Sequence, residues 1–186
     1  WTALTGFLGV LLVFVVGNRA FPAAPAAAAG PPAPSTGLLA ASVLGGTAIY
    51  VFTGHFLTLD MGVSFFLVAG LYCLMLAQLE PEGSVPERNW MLLAWGGLAL
   101  AILSKGLIGA ALPFAALVIY TFLTRQWQLW RRLHMVKGMV LLLAITAPWF
   151  IWVSIRNPEF FHFFFIHEHF ERFLTKTHSR YQPDRK

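Results

Sequence analysis

Three groups of ionisable side chains could carry chemistry, and each lies where an apolar stretch of the sequence begins or ends. Asp60 precedes one such stretch and Lys105 follows another, while the third group follows Asn157 and contains His167, Glu168, His169 and Arg172. An acidic group lining a cavity could contact a sugar or a cation, whereas a lysine ammonium is a point charge that suits a phosphate. Because ionisable residues at membrane depth are costly and usually face a cavity or a partner, these residues are the candidate site.

Asp60 and Lys105 each also have a purely structural interpretation. Asp60 could be the N-cap or a first-turn acid of the helix that follows it, where a negative charge is favourable with the helix dipole. Lys105 could lay its aliphatic stem along apolar surface and leave its ammonium at the interface. Both alternatives stay open on the sequence alone.

The stretch after Asn157 predicts an amphipathic helix lying at the membrane interface. Pro158 suits its first turn, and at about 100° per residue one face collects His162, His169, Arg172 and Lys176. Phenylalanines cover much of the remainder, as in interfacial helices. The histidines could instead simply face lipid headgroups. His167 and His169 point in different directions and are not expected to share a metal, although one of them with an acid from elsewhere could hold a cation.

The elements that must position these residues are transmembrane helices. Of 186 residues, 58% are hydrophobic and 11% are charged, whereas a soluble domain has about 25% charged residues. The apolar stretches recur along the whole chain, so a targeting peptide does not explain them. A spanning helix needs about 20 mostly apolar residues. The sequence therefore predicts an all-α, polytopic bundle of about six spans, near 1–17, 37–54, 61–79, 90–103, 107–123 and 138–155.

The basic loop at 124–137 predicts the sidedness of these spans. It holds Arg125, Arg131, Arg132 and Lys137 and no acid, which is typical of a cytoplasmic loop. Alternation of the spans then places 18–36 and 80–89 in the cytoplasm. It places Asp60, Lys105 and the C-terminal tail at 156–186 on the opposite face. The tail's own cations run against this rule. Either the topology is inverted, or these cations bind an anion on the outer side, and we favour the second interpretation.

Composition also excludes several kinds of site. The lone Cys73 makes no intrachain disulfide and no structural zinc site. The net charge of +5 indicates attraction to anions, for which lipid phosphates are better candidates than nucleic acid in a membrane protein. A Gly-rich phosphate loop is missing from the sequence, so we expect no nucleotide cofactor.

Two regions follow from these patterns. We expect a transmembrane bundle over 1–155, with an Ala/Pro-rich loop at 18–36, and an outer-face amphipathic helix and tail over 156–186. The chain has no initiator Met and ends shortly after a basic stretch. We therefore expect it to be an internal piece of a longer protein.

Several short motifs, in order along the chain, resemble a known family. They are Thr58-Leu59-Asp60, Leu103-Ser104-Lys105-Gly106, Ala147-Pro148-Trp149, Pro158-Glu159-Phe160, and the run from Phe163 to Phe173. Their order and shared sidedness resemble the ArnT-like branch of the protein mannosyltransferase superfamily, whose members are polytopic glycosyltransferases of the GT-C class. The resemblance covers most of the chain from about Leu38 to Arg180.

The resemblance implies an activity and roles for the candidate residues. It implies transfer of a sugar, such as 4-amino-4-deoxy-L-arabinose, from a polyprenyl-phosphate carrier to lipid A or another envelope acceptor, at the periplasmic face of a bacterial inner membrane. Asp60 would be the catalytic acid of an outer loop and Lys105 would bind the donor phosphate. Glu168, His169 and Arg172 match an E-H-x-x-R pattern near the carrier phosphate, where a divalent metal ion can also bind, with His169 as its ligand.

The same resemblance places the general base upstream of Trp1, so we expect the fragment alone to be inactive. Two other classes of protein stay open. One is a transporter or flippase for an anionic lipid or metabolite, whose charges would lie near the membrane midplane. The other is a structural membrane subunit. The candidate charges lie at the ends of predicted spans on one face, which favours chemistry at the interface.

Overall fold

The structure, a computed structural model, describes residues 1–22, 35–56 and 60–157. Within these ranges the chain is helical and contains no strand, which confirms the all-α class. Its helices are α1 (Thr2–Ala20), α2 (Thr36–Gly46), α3 (Ala48–His55), α4 (Asp60–Leu79), α5 (Val85–Lys105), α6 (Ile108–Thr124), α7 (Gln128–Arg132) and α8 (Met135–Arg156). The chain divides into two units, Trp1–Thr146 and Ala147–Lys186, and the helix packing, cavities and ion pairs below belong to the first.

Three of the described helices, α1, α4 and α8, are long and apolar enough to cross a membrane. The α2–α3 pair brings the number to four if it counts as one span. Helix α6 is apolar but has 17 residues, and α5 has 21 residues but carries Glu87 and Arg88 in its first turns. The count of about six spans therefore stays a prediction.

The span predicted at 37–54 is not one straight helix. Helices α2 and α3 meet at an angle of 64°, and Thr47 between them has an extended backbone with φ −73° and ψ 117°. Gly45 and Gly46 precede this break, and glycine pairs are a usual cause of sharp kinks. The Thr47 hydroxyl donates a hydrogen bond to the Val43 carbonyl oxygen at 2.7 Å, which satisfies one of the groups freed at the break.

Helix α5 begins at Val85, five residues before the predicted span at 90–103, because a cap starts it there. The Ser84 hydroxyl accepts a hydrogen bond from the Glu87 N–H at 3.2 Å, and Pro86 suits the first turn. Ser84-x-x-Glu87 before an apolar run is the sequence signature of a capping box. The polar stretch at 80–89 is therefore a short turn followed by the first turn of a helix.

The antiparallel packing of α4 on α5 forms the most extensive helix–helix interface of the described chain. The two backbones touch where Gly70 faces Gly97, since a Cβ added at Gly97 would lie 3.0 Å from the Gly70 Cα atom and 3.1 Å from the Phe66 carbonyl oxygen. Small residues allow this close approach between membrane helices. Helix α1 packs on α2 and α4, and α6 packs on α5.

A small buried core lies where the C-terminal half of α4 meets α5 and α7. Its buried members are Ala77, Met91, Ala94, Leu129 and Leu133, with the half-buried Cys73 packed against them. The Trp95 indole N–H donates a hydrogen bond to the Leu133 carbonyl oxygen at 2.8 Å, which fixes the chain after α7 against α5.

The outside of the unit is apolar. In the most apolar 18-residue stretch of each helix, only 22% is buried in α1 and 28% in α4. Large side chains such as Phe7, Phe52 and Leu123 are 63–80% exposed. An exposed apolar surface of this extent suits lipid and not water.

The Gly70–Gly97 contact predicts a sharp difference between two neighbouring glycines of α5. Gly97→Val is expected to destabilise the protein by about 1–3 kcal/mol, because the new side chain meets backbone atoms that cannot move away. Gly96→Val is the matched control, since nothing lies within 4 Å of a Cβ at Gly96. Thermal unfolding of the full-length protein in detergent measures both. Equal melting temperatures for the two variants would contradict this packing.

Candidate active site

The structure brings Asp60 and Lys105 together at one end of the α4–α5 pair. Asp60 is the first residue of α4 and Lys105 is the last residue of α5, so antiparallel packing places them side by side although they are 45 residues apart. The Lys105 Nζ atom forms an ion pair with the Asp60 Oδ1 atom. Their side chains are 47% and 53% exposed, respectively, so the pair is open to a ligand.

Gly106 explains why α5 ends directly after Lys105. Its backbone has φ 79° and ψ −157°, a region that is essentially restricted to glycine. The Gly106 N–H donates a hydrogen bond to the Ile102 carbonyl oxygen at 2.7 Å and closes the helix. Ser104 plays no part in the pair, since its hydroxyl donates to the Leu100 carbonyl oxygen at 2.8 Å. The Lys105-Gly106 step therefore presents the lysine at the helix end.

The pair has spare hydrogen-bonding capacity. An ammonium group has three N–H donors, and among the described residues the only hydrogen-bond partner of the Lys105 ammonium is Asp60. A half-exposed ion pair contributes only about 0–1 kcal/mol to stability. Asp60 and Lys105 also lie at the helix ends where their charges suit the helix dipoles. The structural interpretation of each residue is therefore compatible with the geometry, and so is binding of an anion beside Lys105.

An apolar cavity of about 370 Å³ lies among α4, α5, α6, α7 and the first half of α8. Ile102 lines it, and Ile102 is one helical turn before Lys105 on α5. The other lining side chains are almost entirely apolar and include Phe66, Leu98, Pro113 and Phe114. The cavity therefore reaches close to the ion pair and could receive an apolar chain attached to a group held there.

The remaining predicted site residues, Glu168, His169 and Arg172, lie outside the described residues. Among residues 1–22, 35–56 and 60–157, no group of three or more His, Cys, Asp or Glu side chains could hold a metal ion. At the end of the bundle that carries Lys105, the described part of the chain offers one carboxylate, Asp60, which is already paired. The described residues do not themselves form a metal site, and the cation at His169 stays a prediction.

A second polar cluster, which the sequence analysis missed, lies at the opposite end of α4 and α5. The Arg132 Nε atom donates a hydrogen bond to the Glu87 Oε1 atom at 2.8 Å. The same guanidinium donates to the carbonyl oxygens of Gln78 at 3.2 Å, Ala77 at 2.9 Å and Glu80 at 2.6 Å. Glu87 is 1% exposed. Arg132 thus caps the C-terminal carbonyls of α4 and fixes α7 to α5.

Glu87 is ionised in this cluster. Burial disfavours its charged form, but hydrogen bonds from Arg132 and from the Gly83 N–H, together with the Arg132 charge, outweigh that cost and hold the pKa of Glu87 below its ordinary value of 4.5. A carboxylate with a lowered pKa stabilises the fold above its unfolded pKa. This contribution is complete at neutral pH and is lost as the pH falls below about 4.5 and through the folded pKa.

The contacts at this end agree with the predicted grouping of loops. Arg19 at the end of α1 forms an ion pair with Glu80 at 3.0 Å, and its guanidinium lies 5.2 Å from the Trp90 ring centroid. One end of the bundle therefore carries the described part of the 18–36 loop, the 80–89 turn and the 124–137 segment. The other end carries Asp60 and Lys105. Residues 23–34 of the Ala/Pro-rich loop lie outside the described residues.

Comparison with known proteins identifies what the chain is similar to. The dolichyl-phosphate-mannose-protein mannosyltransferase family matches residues 32–164. The undecaprenyl phosphate-alpha-4-amino-4-deoxy-L-arabinose arabinosyl transferase 1 of Proteus mirabilis is 33% identical over 76% of this chain, and the corresponding transferase of Erwinia tasmaniensis is 32% identical over 80%. The chain spans 27% of the length of each of these relatives.

Two crystal structures share the fold. ArnT from Cupriavidus metallidurans in the apo state matches 92% of this chain at 41% identity, with a TM-score of 0.75. The same protein bound to undecaprenyl phosphate matches 91% at 40% identity, with a TM-score of 0.77. This chain covers 30% and 29% of those two chains. With its apolar helices, it is a multi-pass membrane protein of the GT-C type.

The Arg132 cluster predicts very different costs for two adjacent arginines. Arg132→Ala is expected to destabilise the full-length protein by about 3–5 kcal/mol, because Glu87 is left as a buried, unpaired charge. Arg131→Ala is the matched control, since Arg131 is exposed and its loss is expected to change stability by no more than about 0.5 kcal/mol. Thermal unfolding in detergent at neutral pH measures both. Similar melting temperatures would mean that the guanidinium of Arg132 does not hold this end together.

Proposed function

Since the chain belongs to the dolichyl-phosphate-mannose-protein mannosyltransferase family, we propose that it is part of a membrane glycosyltransferase that uses a polyprenyl-phosphate sugar as donor. The sugar is 4-amino-4-deoxy-L-arabinose, the carrier is undecaprenyl phosphate and the acceptor is lipid A or a similar envelope lipid. The names of the relatives and the undecaprenyl phosphate bound to the similar ArnT structure support this choice. Transfer takes place at the periplasmic face of a bacterial inner membrane.

The observation that carries the proposal is the ion pair of Asp60 with Lys105. Two residues singled out from separate parts of the sequence meet at one end of the bundle, half exposed and with ammonium donors to spare. The basic 124–137 segment lies at the opposite end, with Arg132 bonded to Glu87, and basic loops are typically cytoplasmic. The Asp60–Lys105 end would then face the periplasm.

The reaction needs two kinds of assistance. An acceptor oxygen attacks C1 of the sugar, the bond from C1 to the phosphate oxygen breaks, and its electron pair leaves with the polyprenyl phosphate. The proton of an acceptor hydroxyl passes to a general base of the full-length protein. The second need is stabilisation of the negative charge that develops on the leaving phosphate, which fixed cations supply.

Lys105 and Asp60 have distinct roles in this scheme. Lys105 donates its remaining N–H groups to the donor phosphate, and the resemblance assigns Arg172 and Glu168 to the same phosphate. Asp60 holds the Lys105 ammonium at the helix end and contacts the sugar. The sugar is activated by its phosphate ester, so no nucleotide takes part. His169 would hold a divalent cation, which would supply further positive charge near the phosphate.

The apolar cavity is the proposed place for the first prenyl units of the donor. Its volume of about 370 Å³ falls in the range of about 300–1,000 Å³ of ligand cavities. Because Ile102 lines it one turn before Lys105, a chain that enters it can keep its phosphate at the ammonium. A transporter is less well supported, since the ionised side chains of residues 1–22, 35–56 and 60–157 lie at or near helix ends and not at midspan.

The site predicts a loss of turnover from single charge removals in the full-length protein. Lys105→Ala and Arg172→Ala are each expected to lower kcat about 100-fold, because a donor to the leaving phosphate is lost. Asp60→Asn is expected to impair turnover as well. The matched control is Lys137→Ala, which removes an exposed lysine from the segment at the opposite end. Transfer from a purified donor lipid is measured in vitro, and sugar-modified lipid A is measured in cells by mass spectrometry.

Full activity of Lys105→Ala in folded protein would remove Lys105 from the site. An unaffected Asp60→Asn would return Asp60 to its role as a first-turn helix acid.

The proposed tail site predicts an effect that depends on the length of the donor lipid. Leu98→Trp is expected to raise the KM for a long-chain donor about tenfold, since filling an apolar pocket removes at least about 1.4 kcal/mol of binding. A donor in which a methyl group replaces the prenyl chain is expected to be less affected, because it has no prenyl unit to place in the cavity. Leu100→Trp is the control, because Leu100 is on the same helix but does not line the cavity. An equal rise of KM for the two donors would contradict a tail in this cavity.

A further inference from the structure

A polar cavity of about 630 Å³ lies at the end of the bundle opposite Lys105, and the proposed transfer does not use it. The end of α4, the end of α6 and the turn into α7 surround it, with Gln78, Tyr120, Arg125, Gln126 and Gln128 in its lining. No lining residue is acidic, and the whole segment 124–137 contains no acid. The cavity therefore offers cationic and amide donors to an anion.

Several donors in this cavity are not consumed by internal contacts. Among the described residues Arg125 forms no ion pair, and its side chain is exposed. The Tyr120 hydroxyl donates a hydrogen bond to the Gln126 Oε1 atom at 3.3 Å, which leaves the Gln126 amide N–H groups as donors. The Gln78 amide nitrogen is buried without a hydrogen-bond partner in the described part of the chain. An acceptor beside it would supply the missing hydrogen bond.

The backbone holds Arg125 at this place at some cost. Arg125 ends α6 in the left-handed region with φ 56° and ψ 24°, a position that glycine usually occupies after a helix. A residue other than glycine adopts this conformation with strain. This conformation keeps Arg125 in the lining of the cavity.

The surroundings of the cavity fit a lipid better than a soluble anion. Immediately before Arg125, Phe122 and Leu123 of α6 are 66% and 80% exposed. Trp127 packs edge-on against Phe122 with ring centroids 5.4 Å apart and is itself 56% exposed. An aromatic pair between apolar helix surface and cationic donors is typical of the level at which lipid headgroups lie. Acyl chains can follow α6 while a phosphate lies beside Arg125.

We propose that this cavity binds the phosphate-bearing headgroup of an anionic membrane phospholipid, with Arg125 as its main cation and the Gln126 and Gln128 amides as further donors. Arg132 lines the same cavity, but its guanidinium is bonded to Glu87 and three carbonyls. It therefore adds to the positive electrostatic potential in the cavity and does not contact the headgroup directly. Basic pockets between helices on the cytoplasmic side are suited to such headgroups. This site is separate from Asp60 and Lys105 and does not depend on the proposed transfer.

Native mass spectrometry of the full-length protein in a neutral detergent tests the proposal, with phosphatidylglycerol and phosphatidylcholine as the two probes. We expect phosphatidylglycerol to bind more tightly than phosphatidylcholine. Arg125→Gln is expected to weaken phosphatidylglycerol binding about tenfold or more, as for loss of a charged hydrogen bond. Arg131→Gln removes the same charge from α7 at a residue that does not line the cavity, and is expected to stay within about twofold.

Several outcomes would overturn the site. Equal loss in Arg125→Gln and Arg131→Gln would mean a diffuse positive surface, and no loss in folded Arg125→Gln would remove its central cation. Displacement of phosphatidylglycerol by water-soluble glycerol 3-phosphate at equal concentration would identify a soluble phosphate as the occupant. If Arg125→Gln does not fold, Gln128→Leu serves instead, with an expected weakening of about threefold to tenfold. Unchanged affinity in Gln128→Leu would then contradict the proposal.

Discussion

The contact of Gly70 with Gly97 sets the register of α4 against α5, and the placement of both charged clusters depends on that register. Without side chains at the crossing, the two backbones approach until Gly97 leaves no room for a Cβ atom. In this antiparallel register Asp60 lies beside Lys105 at one end, and the carbonyls that end α4 lie beside Glu87 and Arg132 at the other. A shift of one helix by one residue would turn its charged side chain by about 100° around the helix axis and separate Asp60 from Lys105.

The two ends of this helix pair differ in how fully their charges are satisfied. Glu87 is almost completely buried and bonded on both carboxylate oxygens, and Arg132 bonds to four residues. Such a fully bonded cluster rigidifies the structure and has little capacity left for a ligand. Lys105 and Asp60 are half exposed and bonded only to each other among the described residues. Within this helix pair, spare hydrogen-bond donors are therefore found at Lys105, and the Glu87–Arg132 cluster provides rigid support.

Much of this arrangement could be predicted from the sequence, because it follows from where apolar stretches begin and end. The helical class, the family and the placement of Asp60 and Lys105 on the same side were predicted from span boundaries and short motifs, and the comparisons confirm the family. That Asp60 and Lys105 contact each other is seen only in the structure. The break at Thr47 and the partner of Glu87 were missed for different reasons. A glycine pair permits a kink without requiring one. Arg132 resembles its neighbour Arg131 in sequence, and only tertiary packing decides which of the two is buried.

The central claim is that the Asp60–Lys105 end receives the phosphate of a polyprenyl carrier whose chain enters the apolar cavity. Photo-crosslinking tests it most directly, with full-length protein and a polyprenyl phosphate that carries a diazirine on its first prenyl unit. We expect the labelled peptides to include α5 between Leu98 and Lys105, and unlabelled carrier to compete for the labelling. Labelling that competes equally well but leaves α4, α5 and α6 entirely unmodified would contradict the account.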